Sequence, residues 1–308
     1  MNDLMAEYRL SNNNTVSPVK AAIANKGYHI YYLPMISFIF NPHSEQIPKQ
    51  QPCFCKMKER PDLSCLVFQP PEKPLEEVEV VDSNESLERC ALAFLQSDIL
   101  AVDIEGRLRK GGFIEMIQFN NGRNVFLFDI YKITQLDFNF ELYEQIKLLI
   151  REKMLDEKVV KVFHDSRHDC LSLHEIINTC TRNVFDTSGM EIFKVQLEFY
   201  RTEEKITNAM LGTLSNVRTP GLNEILKKYE APHGINESKD DFHKLMSASK
   251  NFSGIFHERP LHPEYKKYCV KDVLDLIHVY ETMRKGIPTG IAEYVGDRYV
   301  QDAYESTL

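Results

Sequence analysis

The sequence predicts an α/β fold in which an antiparallel meander and added parallel strands form one mixed sheet flanked by helices. Three observations predict it. The apolar runs ILAVDIE, FIEMIQF and NVFLFDI follow one another closely, and Asn121-Gly122 lies between the last two, a strong hairpin signal. From Phe140 onward, helical and strand patterns alternate, which implies parallel strands joined to the same sheet with helices on both faces. Before Val78 the chain is punctuated by Asn, Ser, Pro and Gln, as in NNNTVSP and PPEKP. That composition predicts a loosely ordered extension over 1–76 with one or two short strands around YHIYYLP.

The elements follow in order. VEVV reads as a short strand, and Ser83 or Asn84 caps a helix running through Gln96. ILAVDIE reads as a buried strand, and the two strands of the hairpin complete the meander. FELYEQIKLLIREKML is helical, KVVKVFH a strand, DCLSLHEII a helix and NVFD a strand. LHPEYKKYCVKDVLDLIHVYETM reads as one long amphipathic helix with Pro263 near its start. The domain organisation expected is an extension over 1–76, a catalytic-type domain over 77–286 and a C-terminal helix or tail over 287–308. No internal repeat is present.

With 308 residues, 43% of them hydrophobic, the chain has material for one sizeable core. A net charge of −8 excludes a global positive field that would draw it to nucleic acid or anionic membrane, so any polyanion must be held locally. Seven cysteines without a disulfide-framework spacing suit a reducing compartment, and cytoplasm or nucleus is expected in the absence of a secretory pattern. Cys53-Phe-Cys55 with Cys65 is a weak metal fragment that lacks paired C-x-x-C spacing. Tyr28 to Phe40 is apolar but broken by Pro34 and too short to span a bilayer, so no membrane partner is expected.

The chemistry is carried by acids in apolar surroundings. Asp103 and Glu105 stand two apart in a strand and therefore share a face. Two ionised carboxylates so placed repel, and burying them is costly unless a cation lies between them. A single acid usually caps a turn or is solvated at a strand end, a fate that fits two acids less well. Yet a D-x-E alone is common by chance and gains weight only when more acids arrive from elsewhere in the fold. Asp169 lies in the first turn of a helix, where the dipole alone would favour an acid. Tyr268 and Asp272 are four apart on a third element, one turn from each other. Four acids from three elements are the makings of a site for two hard divalent cations, Mg2+ or Mn2+. His164 and His168, also four apart, offer zinc spacing without the H-E-x-x-H pattern, a more distant alternative.

DIE, HDSRHD and YCVKD resemble the three exonuclease motifs of the DEDD superfamily of 3'-5' exonucleases, in the tyrosine branch that includes RNase D and the Werner-type domain. The resemblance spans residues 78 to 285. FIEMIQF, NVFLFDI, GLNEILKKYE and ERPLHPEYKKYCVKDV support it, and HDSRHDC with RNVFDT is most similar to the Egalitarian-like group. It implies an RNase H-like fold and two divalent cations. Asp103, Glu105 and Asp272 would hold the first cation, with Asp103 bridging to the second and Asp169 serving that second one. Tyr268 would orient the attacking water; a phenol near pKa 10 stays protonated at neutral pH, so positioning is its task. The histidine branch would need a histidine where Lys267 stands. The implied partner is the 3' end of RNA or single-stranded DNA, with protein partners in RNA metabolism. Arg107, Arg109 and Lys110, directly after the D-x-E strand, are candidates for phosphate contact, although a basic run in a turn is more often solvated. A second function follows from the same resemblance: some Egalitarian-like proteins have lost acids and act as RNA-binding adaptors. This chain retains all five motif residues, which favours an enzyme.

Overall fold

A computed structural model of the protein describes residues 78–108, 112–178, 180–202, 218–248, 257, 259–285, 287 and 289–305. The expected extension over 1–76, with Cys53, Cys55 and Cys65, lies outside the described residues, as do Arg109 and Lys110. The chain divides into two compact units, residues 67–191 with 219–308 and residues 1–66 with 192–218. The sheet and all five motif residues belong to the first. In the second, the described residues are the C-terminal part of the helix Thr187–Thr202 and Arg218.

Six strands form the sheet: β1 (Glu79–Val81), β2 (Ile99–Arg107), β3 (Phe113–Asn120), β4 (Val125–Phe128), β5 (Val160–Phe163) and β6 (Val184–Asp186), in the order β1-β4-β3-β2-β5-β6. As expected, β2, β3 and β4 form an antiparallel meander, and β5 and β6 extend it in parallel. β1 adds to the far edge, parallel to β4. The hairpin between β3 and β4 closes because the Asn121 side chain accepts from the backbone N–H groups of Arg123 and Asn124, while Gly122 takes φ +83°. Thus β2 is the strand at which the sheet changes character, with an antiparallel neighbour on one side and a parallel one on the other.

Helix α1 (Asn84–Leu95) starts at Ser83, whose hydroxyl accepts from the Ser86 N–H while Ser86 reaches back to the Ser83 N–H. Its buried residue Phe94 packs edge-on against Phe119 and Phe126, with centroids 5.3 and 5.7 Å apart. Leu100, Val102 and Ile104 from β2 join this core, together with Leu142, Ile146 and Ile150 of α2 (Phe140–Leu155). A five-residue π-helical turn, Lys132–Leu136, leads into α2. α3 (Arg167–Ile177) follows β5, and α4 (Thr187–Thr202) follows β6. The remaining helices are α5 (Leu222–Lys228), α6 (Lys239–Ala248), α7 (Pro263–Leu274), α8 (Leu276–Met283) and α9 (Thr289–Glu305).

The single long helix expected over the C-terminal motif is instead two, α7 and α8, broken at Asp275. Asn120, at the end of β3, donates its side-chain amide to the carbonyls of Val273 and Leu274 at 3.1 and 2.9 Å. The Asp275 carboxylate is taken by His233, from the backbone N–H at 3.1 Å and the ring Nδ1 at 2.7 Å. Partners distant in sequence thus engage the groups that local periodicity had assigned to a continuous helix.

The C-terminal segment forms α9, which packs on β6 and α3. Gly296 is the point of closest approach: a Cβ there would sit 1.8 Å from the Val184 carbonyl oxygen. Gly296→Ala gains about 1 kcal/mol of helix propensity but forces apart a packed helix and strand, an overpacking cost of about 1–3 kcal/mol or more. The clash is against backbone, which has least room to yield, so the thermal midpoint is expected to fall. A midpoint equal to or above that of the unsubstituted chain would mean α9 does not dock here.

Candidate active site

Alternation along β2 sends Leu100, Val102 and Ile104 into the core and leaves Asp103 and Glu105 on the opposite face, half-buried. That face meets α7, which packs against β2, β3 and β4. β5 is paired with β2 only at Ile99–Ala101, so both acids lie beyond the end of the parallel neighbour, in the opening at the carboxyl end of β2. Between Glu105 and Gly106 the register with β3 shifts by a bulge. Gly106 adopts φ +147°, and a Cβ there would lie 2.3 Å from the Phe113 carbonyl oxygen, so a residue without a side chain is required where the strand bends just past Glu105.

Tyr268 and Asp272, one turn apart on α7, are both 2% exposed and face this opening. Carboxylate oxygens of Asp103, Glu105 and Asp272 lie within 4.8 Å of one another, and this is the one group among the described residues with the makings of a metal site. The Tyr268 hydroxyl faces Glu105 and favours its ionised form, against the burial that disfavours it. Asp169, 5% exposed, stands in the first turn of α3. The turn ahead of α3 is fixed by the buried Asp186 of β6, which accepts from the Ser166 N–H at 2.6 Å, and by Asp165, at φ +59°, which receives both nitrogens of the Arg167 fork. Asp169 stands outside the three-carboxylate group yet within its field.

The electrostatics are those of acids held together. Burial, and then the charge on Asp272, pushes Asp103 up to about 7. Burial followed by the charges on Asp103 and Asp272 holds Glu105 well above the usual carboxylate range, and burial with Asp103 and Glu105 does the same to Asp169. Burial and the neighbouring Glu105, Asp272 and Asp103 raise Tyr268, so its phenol stays protonated at neutral pH. A half-buried set of mutually repelling carboxylate oxygens fits a hard divalent cation.

Two residues that sequence reasoning passed over complete the site. Lys239, the first residue of α6, places its ammonium 2.9 Å from Asp272 Oδ2 and 5.4 Å from the centre of the Tyr268 ring. Burial alone would lower the Lys239 pKa, but the charges on Asp272, Asp103 and Glu105 outweigh it and raise it. Asn236 donates its side-chain amide to Asp272 Oδ1 at 2.8 Å and to the Tyr268 carbonyl at 3.1 Å. The one available signal was a basic residue at a helix start, against the macrodipole.

The histidine alternative is not assembled. His164 directs Nδ1 to the Thr187 hydroxyl at 2.9 Å, and burial lowers its pKa to about 4, while His168 is exposed. Of the three basic candidates, Arg107 stands exposed at the end of β2, where its charge acts on Glu115.

The 3'-5' exonuclease family model matches residues 78–288, from β1 to the end of the segment after α8. The chain belongs to the 3'-5' exonuclease family. Among solved structures, this exonuclease-family chain is similar to Trypanosoma brucei RNase D in complex with GMP, at TM-score 0.57 and 20% identity, over 74% of this chain and 64% of that one. It thus spans just under two thirds of that RNase D. A second structure, T. brucei RNase D in complex with RNA U12, matches at TM-score 0.55 and 19% identity, over 73% of this chain and 69% of that one. These likenesses bear out the expected RNase H-like mixed sheet. No curated protein matches.

The raised carboxyl of Asp103 gives a pH signature. A proton bound more tightly in the folded state than in the unfolded chain, where the group titrates near 4, contributes stability that is complete below about pH 4. That contribution is lost as pH rises through about 7. In EDTA, the midpoint is therefore expected to fall between pH 5 and pH 8 by more in the unsubstituted chain than in Asp103→Asn, which carries no such proton. Parallel pH dependences in the two would remove Asp103 as the source.

Proposed function

We propose that the chain is a metal-dependent 3'-5' exonuclease that hydrolyses the terminal phosphodiester bond at the 3' end of RNA or single-stranded DNA, releasing nucleoside 5'-monophosphates. The observation that carries this reading is the convergence of Asp103, Glu105 and Asp272 from two elements onto one opening, with oxygens within 4.8 Å. Asp103, Glu105 and Asp272 would hold one divalent cation, Mg2+ or Mn2+, and Asp169 with Asp103 a second. Bound there, such cations supply a nucleophile at neutral pH and offset charge on the leaving oxygen.

The chain's own groups do the rest. Tyr268 keeps its proton and, through its hydroxyl at Glu105, orients the attacking water by donating to or accepting from it. Asn236 holds Asp272 at a fixed rotation on α7. Arg107, exposed at the end of β2, is the proposed contact for a backbone phosphate, together with Arg109 and Lys110 beyond Leu108. The RNA named in the RNase D complex belongs to that protein; RNA is adopted here as one of two substrates to be tested.

The adaptor reading also has an observation in its favour: Lys239 already supplies a positive charge to the acids, so a metal-free site is electrostatically tolerable. One assay separates the two. A 5'-labelled oligonucleotide, as RNA and as DNA, should shorten stepwise from its 3' end with Mg2+ or Mn2+ and remain intact in EDTA. An oligonucleotide that is bound but unshortened under all conditions would sink the enzyme reading in favour of the adaptor.

A further inference from the structure

Asp272 is the most heavily engaged of the three clustered acids. Asn236 occupies Oδ1 at 2.8 Å and the Lys239 ammonium occupies Oδ2 at 2.9 Å. Neither donor arrives by chance of a flexible side chain, because the segment between α5 and α6 is fastened to α7 and its C-terminal end along its length. His233 is bonded to Asp275 through ring and backbone, Lys271 donates to the His233 carbonyl, and Asn236 donates to the Tyr268 carbonyl as well as to Asp272. Asn236 is itself held from the other side, its backbone N–H on the Asn223 side chain at 2.8 Å and its carbonyl accepting from the Asn223 amide at 2.9 Å. These fastenings deliver Lys239, at the head of α6, over the Tyr268 ring and onto the acid cluster.

The consequence is an overlap of positions. A cation held by Asp103, Glu105 and Asp272 must lie among oxygens within 4.8 Å of one another, and the ammonium already sits on one of them. Two positive charges at such separations repel strongly where water is partly excluded. The Lys239 side chain is 21% exposed, which leaves its flexible four-carbon stem a route outward.

We propose that Lys239 is a tethered counter-ion that a divalent cation must displace from Asp272, so that the charge on Asp272 is offset without metal and the site loads only against this internal competitor. The inference rests on the metal-dependent reading above, and it goes further by assigning a role to a residue outside the five motif positions. It distinguishes Lys239 from an ordinary structural ion pair, whose removal would not tighten metal binding.

The test is Mn2+ binding by calorimetry to the full chain, in Lys239→Met, Lys239→Arg and the unsubstituted protein. Lys239→Met should bind Mn2+ about tenfold more tightly or better, the scale expected for removing a unit charge a few ångströms away. Lys239→Arg, which keeps the charge, should bind like the unsubstituted chain. The rise in thermal midpoint on adding Mn2+ should likewise be larger in Lys239→Met. A second measurement needs no substitution: the rate at which acetic anhydride labels Lys239, followed by mass spectrometry, should rise with saturating Mn2+ and stay level with NaCl of equal ionic strength. Equal Mn2+ affinity in Lys239→Met and the unsubstituted chain overturns the proposal alone. So does a Lys239 that becomes less reactive with Mn2+, and that result decides the matter even should Lys239→Met fail to fold. Absence of Mn2+ binding in every variant overturns the metal-dependent reading and the proposal with it.

Discussion

Asp103→Asn is expected to lower nucleotide release by about 10³-fold or more, the scale of several kcal/mol of transition-state stabilisation that bound metal supplies. Mn2+ affinity should fall with it. Asp103 is the acid common to both proposed cation positions, it belongs to the three-carboxylate group, and its charge also reaches Asp169. Its replacement therefore weakens the whole set rather than one ligand. The sign of the stability change separates this from damage to the fold. In EDTA at pH 8, taking away a carboxylate that is pushed up by burial and by Asp272 relieves repulsion, so the thermal midpoint should hold or rise while activity disappears. Retained nucleotide release in Asp103→Asn would refute the assigned site; a collapsed midpoint with lost activity would make Asp103 structural instead.

The second large effect is at Tyr268. Tyr268→Phe removes one hydroxyl and should slow turnover by about 10²–10³-fold, the range for losing one preorganised polar contact, while Mn2+ affinity changes little. The ring itself is held by packing, with Phe242 and Tyr265 at centroid distances of 4.7 and 6.3 Å, and a phenylalanine keeps those contacts. The raised pKa rules out the phenolate as a base near neutral pH, so the pH profile of the residual activity should keep its shape. Single-turnover rates with saturating Mn2+ measure this directly. Should Tyr268→Phe cut Mn2+ affinity as deeply as Asp103→Asn does, the hydroxyl serves the ligands and not the water.

Much of this protein lay in short-range signals. The meander followed from three closely spaced apolar runs and Asn121-Gly122, and the alternation of Leu100, Val102 and Ile104 with Asp103 and Glu105 put the acids on one face, because strand periodicity is local and strict. Tyr268 and Asp272 followed from one helical turn in the same way. The break at Asp275 did not follow, since it depends on Asn120 and His233, 155 and 42 positions away, and periodicity carries no information about partners so distant.

The five motif residues of the candidate site, then, were determined by the sequence itself: an acid pair on a buried strand, an acid at a helix start, a tyrosine and an acid one turn apart. Their meeting was decided only by the tertiary structure. Long-range packing of α7 across β2 and β3 closed the three carboxylates to within 4.8 Å, and the fastened segment before α6 set Lys239 among them. The physical reason is that a lysine at a helix start, although it opposes the macrodipole, does not say which acids it will meet. Its role exists only in the field of acids brought to it from other strands and helices.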